Sequence, residues 1–314
     1  MLALIAIAAC ASPLAPPTPQ PTSTTAGTPL AGSRTPQATS TRPATSPPGP
    51  TIAPTSAASP TPSPTPLPAV AVVGWEGEGV RVVSLEVEFN YAERASDLEA
   101  IVLLALGQVG LDVGDDPDAI VRVDLEGTPL SARYTDAGEC HSGARISGTV
   151  RLTGDGMPRV EAPLEGSVPT PFLISACEKD PAGAPFEEAF EMGFSSAMAE
   201  ILGPASVPYL SEVLAFPRSG YWSVILPIQA AAIDAYRTLD HDAIPIAHQY
   251  EFLDQVLWSV APVIGNPDPE GDKYIRTVRR VLLDYSETNF GFANEDDLES
   301  WRQWLTEWAA ERDL

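Results

Sequence analysis

The chain has 314 residues, a net charge of −24 from 42 acidic and 18 basic residues, and three cysteines. Such an acidic excess repels phosphate backbones and anionic headgroups, which argues against a nucleic-acid partner. It leaves room for basic proteins, peptides or cations, or serves solubility alone.

Leu2 to Ala9 form an uninterrupted apolar or small run, too short to span a bilayer but suited to the core of a signal peptide. It leads into Ile7, Ala8, Ala9 and Cys10, which resembles the bacterial lipobox. That resemblance implies lipidation of Cys10, with the thiol as nucleophile, and an extracytoplasmic chain held at the cell membrane by its N-terminal lipid. No Lys or Arg precedes the run, a departure that points to a start codon placed too far downstream.

Ala11 to Ala69 hold 17 of the 33 prolines and no acidic or aromatic residue. A stretch of this kind cannot bury enough apolar surface to offset the entropy of ordering it, so residues 11–69 are expected to be a disordered tether. As a flexible coil they would span roughly 45 Å, and as polyproline II they would approach ~180 Å. All 42 acidic residues and 16 of the 18 basic ones lie beyond it.

Period-two alternation begins after Trp75, where Val83, Leu85, Val87 and Phe89 oppose Ser84, Glu86 and Glu88 as on a strand with one wet face. Ser96 and Glu99 fit a capping box for a following helix with the stripe Leu98, Ile101, Val102 and Ala105, stopped at Gly107 and Gly110. Alternation returns at Val121, Val123 and Leu125, then Ile146, Val150 and Leu152, then Val160, Ala162 and Leu164. Gly154, Asp155 and Gly156 suggest a hairpin turn, and Pro163 suggests an edge strand. Pro185, Glu187 and Glu188 open a second helix that continues through Phe190, Phe194, Met198 and Ile201. Residues 70–202 are therefore expected to be an α+β domain, a mostly antiparallel sheet with two helices. Cys140 and Cys177, placed in loops flanking the strands, either form a disulfide, as exported thiols often do, or stay as separate small buried residues. With His141 they are too few for a metal site.

From Gly203 the period becomes helical, and helices are expected near 205–216, 221–238, 243–264, 269–287 and 295–311. Val207, Pro208, Tyr209, Leu210 and Leu214, with Ala230, Ala231, Ala232, Ile233 and Leu239, look like two helices of a HEAT-type repeat. Ile244, Pro245, Phe252, Leu253 and Val256 look like the start of a second, about 37 residues on, although the usual Asp and Val-Arg between repeat helices is missing. Phe290, Gly291, Asp297, Leu298, Trp301, Arg302, Trp304 and Leu305 resemble the tryptophan-rich helix that closes bacterial HEAT-repeat proteins. Leu298, Trp301, Leu305 and Trp308 share one helical face with Trp304 beside them, so the helix either caps the last repeat or offers Trp301, Trp304 and Trp308 to a partner or glycan.

A nucleophile elbow, a phosphate loop and an HExxH motif are absent, so no catalytic residue, metal ligand or cofactor is assigned. His241 and His248 are separated by a break near Pro245, and Glu187 and Glu191 sit where a helix start already favours acids. Asn266, Asp268, Glu270, Gly271 and Asp272 imitate the start of a calcium loop, but Thr277 stands where a bidentate Glu belongs. The expected role is a protein- or peptide-binding or scaffolding lipoprotein of the cell envelope. The alternative is an envelope enzyme or a ligand-binding module for glycans or peptides, with Trp222 or Trp258 lining a cleft between the two domains.

Overall fold

In a computed structural model, residues 69–75, 77–134, 140–168, 173–174, 185–215, 222–265 and 269–314 are described, and all belong to one unit, Ser63–Leu314. Cys10, the segment up to Pro68 and Cys177 lie outside the described residues. No helix among the described residues is long and apolar enough to cross a membrane.

The first alternating run forms β1 (Val82–Phe89), with Val83 and Phe89 buried and Glu86 and Glu88 exposed. A 3-10 turn at Ala92–Arg94 feeds directly into α1 (Ala95–Gln108), so Arg94 holds the cap position and Ser96 lies inside the first turn. The expected Ser96–Glu99 capping box is therefore not made, because the preceding turn already orders the entry, with Arg94 N donating to Tyr91 O at 2.9 Å. The stripe Leu98, Ile101, Val102 and Ala105 is buried as its spacing requires.

After α1 come β2 (Asp112–Val113), β3 (Ala119–Tyr134), β4 (Cys140–Gly154), β5 (Val160–Val168) and β6 (Leu173–Ile174). The sheet order is β2-β1-β3-β4-β5, with β6 also beside β4. β1 is parallel to both β2 and β3, whereas β3, β4 and β5 are antiparallel. The sheet is thus mixed, which corrects the expectation of a mostly antiparallel one. A helix between two neighbouring strands returns the chain to the end where it began, and the side-chain alternation that revealed the strands carries no sign of direction. Pro163 does lie on the edge strand β5, opposite Thr149. Cys140 is the first residue of β4, paired with Tyr134 and Ile174, and so is a strand residue instead of the loop residue expected.

The inner face of the sheet is covered by α1 over β1 and by α2 (Phe186–Leu202) over β4 and β5. Two glycines let α2 approach β5 at backbone distance: a Cβ on Gly166 would lie 1.6 Å from Ala189 O, and one on Gly193 2.7 Å from Glu165 O. The outer face carries charge. Arg122 reaches Glu88 at 2.7 Å and Asp124 at 2.9 Å, and Arg151 reaches Glu161 at 3.2 Å and also pairs with Asp124. Exposed pairs of this kind add little stability but fix which side of the sheet faces water.

The helical periods resolve into α3 (Val207–Ala215), α4 (Trp222–Arg237), α5 (Ile246–Val260), α6 (Pro269–Leu283) and α7 (Glu295–Ala310). Their packing makes two rows: α3, α5 and α7 in one, and α2, α4 and α6 in the other. α2 thus serves twice, closing the sheet and opening a helical row. One hydrophobic core runs from Val70 through Leu202 and Val207 to Ala309.

Candidate functional site

The most chemically varied recess described lies where α4, α6 and α7 end beside the start of α5. Tyr236, near the C-terminal end of α4, stacks on Phe252 of α5 with ring centres 3.7 Å apart and planes within 6°. Its hydroxyl meets that of Tyr285, just beyond α6, at 2.5 Å. His241 sits in a 3-10 turn capped by the Asp240 side chain, which accepts from Asp242 N at 3.2 Å. The imidazole lies against both Tyr236 at 5.0 Å and Tyr285 at 5.1 Å, and the two tyrosine ring centres are 6.5 Å from each other, so the three rings form a cluster. Gln249 fixes this turn by donating to His241 O at 2.9 Å and Ile244 O at 2.8 Å. Trp308 of α7 meets Tyr285 edge-on at 6.0 Å, and the Arg312 guanidinium lies 4.3 Å from the Trp308 ring centre.

His241, Tyr285 and Trp308, with Gln249, Ile244 and Ile246, border a recess of about 580 Å³, while Tyr236 and Phe252 lie buried behind it. The floor is aromatic, while the rim carries Asp242, Arg312 and Asp284, the last paired with Arg237 at 2.6 Å. Flat or cationic groups gain from such faces, and the rim offers both a carboxylate and a guanidinium for polar ends. A second cavity, about 750 Å³, lies beside Trp75, Arg81, Asp118 and Asp155. There Asp118 accepts from Val82 N at 3.0 Å and Arg81 N at 2.9 Å, and these bonds hold its carboxyl below the usual range.

Burial pushes the Tyr236 hydroxyl strongly upward, helped by its bond to Tyr285, and burial pushes Tyr285 up to about 12. Unfolded tyrosines ionise near 10, so the folded state keeps protons that the unfolded chain has begun to lose. The stabilisation is complete below pH 10 and is lost as pH rises towards 12. Urea midpoints are expected to fall between pH 9.5 and 11.5, and Tyr236→Phe should flatten that fall. An equal fall in both proteins would show that the pair is not responsible.

The three tryptophans singled out on α7 take different places. Trp301 is wholly buried and donates from Nε1 to Gly291 O at 2.9 Å; Trp304 is half-buried against it; Trp308 is buried except where it borders the recess. Trp258 is 60% exposed, with the Arg302 guanidinium 5.0 Å from its ring centre, and it borders none of the cavities just described. The Trp222 side chain lies outside the described residues. Glu187 pairs with Arg94, and Glu191 is buried within α2. His248 lies in the first turn of α5 and is not among the residues that border the recess. Asn266 and Asp268 are outside the described residues, and among those described no three His, Cys, Asp or Glu gather as metal ligands would. The Tyr236–His241–Tyr285 cluster escaped the sequence reading because its members are up to 49 residues apart and share no local period.

No family model matches the chain, and no curated protein matches it. Among solved structures it is similar to the crystal structure of a minor lipoprotein from Acinetobacter baumannii, at 22% identity over 29% of this chain and 70% of that one. The TM-score of 0.20 is too low for that likeness to carry an argument.

Proposed function

We propose that this chain is an exported envelope lipoprotein, anchored through lipid on Cys10, whose folded unit binds a protein or peptide partner at the recess bordered by His241, Tyr285 and Trp308. The observation that carries the binding role is that recess: an aromatic floor of about 580 Å³ with Asp242 and Arg312 exposed on its rim. Aromatic floors flanked by opposite charges suit the side chains and backbone of a peptide. The two helical rows support a HEAT-like reading of residues 203–314, an architecture whose stacked helices present extended binding surfaces. The Ile7-Ala8-Ala9-Cys10 pattern and the proline-rich stretch after it support the anchor and an extracytoplasmic, membrane-tethered location. An oxidising compartment in turn favours a bond between Cys140 and Cys177, which mass spectrometry of non-reduced peptides would detect.

A peptide array probed with the full chain tests the binding role. Asp242→Arg and Arg312→Glu alter the exposed rim without touching the core, and each is expected to weaken captured peptides about tenfold. Unchanged capture by both variants would remove the recess from the account. For the anchor, mass spectrometry of the mature N-terminus should find a diacylated Cys10; an unmodified chain retaining residues 1–9 would refute it.

A further inference from the structure

β1 has an unfinished edge. Asp112 N donates to Arg81 O at 2.9 Å and Gly114 N to Val83 O at 3.0 Å, whereas Asp118 N, on the opposite side, donates to Val82 O at 2.8 Å. Odd-numbered residues of this strand therefore turn their backbone groups toward β2 and even-numbered ones toward β3. β2 pairs with β1 only at Val82 and Val83. The N–H and C=O of Leu85 and Val87 point the same way, beyond the place where β2 ends, and among the described residues no backbone group meets them. Such an edge is a template for another strand.

Its side chains state what that strand should carry. On the inner side Leu85 and Val87 are only half-buried beneath α1. On the outer side Glu86 and Glu88 remain 53% and 68% exposed although both reach Arg122, and the exposed Asp112 of β2, paired with Val82, continues the acidic border. A strand added here sets its alternate side chains against these two rows, so apolar residues would cover Leu85 and Val87 while Lys or Arg would face Glu86 and Glu88. A second copy is disfavoured, because antiparallel pairing of two β1 edges brings the Glu86 and Glu88 rows of both copies together. The tether is also unsuited: its prolines lack the N–H that a ladder needs, and Arg34 and Arg42 are its only charges.

We propose that the free edge of β1, at Leu85 to Val87, takes up an extended basic peptide by strand addition, its side chains alternating between apolar and cationic. The geometry of this edge is independent of the helical recess.

The test uses a fluorescently labelled peptide alternating arginine and valine, titrated into the full chain and followed by anisotropy. Saturable binding is expected, weakening at high salt. N-methylation of alternate backbone nitrogens in the peptide should weaken it at least about tenfold by removing ladder donors. Val87→Pro removes a protein donor that points out of the sheet, a place where proline is tolerated, so binding should fall about tenfold with the circular dichroism unchanged. Glu86→Gln with Glu88→Gln should weaken binding several-fold, while Asp242→Arg should leave it unaltered. Lack of saturable binding overturns the proposal, as does binding indifferent to both N-methylation and Val87→Pro, which would mean charge attraction alone. Loss of binding in Asp242→Arg would move the peptide to the recess. A dimer in sedimentation that Val87→Pro dissolves would give the edge to a second copy, and so overturn it too.

Discussion

Replacing Gly166 with alanine is expected to destabilise the protein by roughly 3–5 kcal/mol, an effect at the upper end of what single substitutions produce. The new Cβ would stand 1.6 Å from Ala189 O and 2.8 Å from its carbonyl carbon. These obstacles are backbone atoms of α2, so no side chain can swing aside to make room. Gly193, on the facing surface of the helix, is also confined by backbone, less tightly, with Glu165 O at 2.7 Å. The helix would have to lift from β5, loosening the buried layer of Ala162, Leu164, Phe190 and Phe194, or β5 would have to bend outward. Because α2 also opens a helical row, the disturbance should reach α4 as well. Gly107→Ala supplies the control. Nothing lies within 4 Å of its Cβ position inside α1, and the exchange should stabilise by about 0.5–1 kcal/mol through helix propensity. Urea midpoints of the two variants should move in opposite directions. Similar midpoints would mean that α2 and β5 are not in backbone contact.

The contrast between these glycines shows where sequence reading has power. Gly107 was read as a stop signal and does lie in the last turn of α1, which ends at Gln108, because propensity is local. Gly166 interrupts an alternating strand and Gly193 sits mid-helix, and each alone is a minor anomaly. Their meaning lies in facing one another, which no window of sequence contains. Strand and helix spans were legible for the same reason that Gly107 was: Val83 to Phe89 and Leu98 to Ala105 announce their faces within a few residues. The direction of β1 was not, although the intervening helix α1 made a parallel return the natural outcome. Ser96 misled because capping statistics ignore the 3-10 turn that enters the helix from Tyr91. The candidate site suffered most. Trp308 was picked out by helical spacing, but Tyr285 and His241, which border the same recess, arrive from other helix ends, and ring-contact geometry has no sequence period.

Trp301→Ala is expected to cost about 3–5 kcal/mol, the range for removing a large aromatic from a well-packed interior. Trp301 has no exposed surface, and its ring is enclosed by Phe290 at 4.9 Å, Phe292 at 5.8 Å and Trp304 at 5.6 Å. Its Nε1 also satisfies Gly291 O, within a segment that Asp297 holds by accepting from Ala293 N at 2.6 Å. Truncation would therefore open a cavity and release the chain between α6 and α7 together. Trp301→Phe separates the two losses: it keeps most of the packing and orphans the Gly291 carbonyl, for about 1–3 kcal/mol. Trp304→Ala, at a half-exposed position, should cost less than Trp301→Ala, since part of its surface is already in water. That order, Trp301→Ala first, Trp301→Phe next and any effect of Trp304→Ala short of the first, is what an inward-facing cap on the helical rows requires. Were Trp301 an anchor for a partner, its replacement by alanine would leave the denaturation midpoint of the free protein nearly unmoved, and the role of α7 would have to be sought outside the fold.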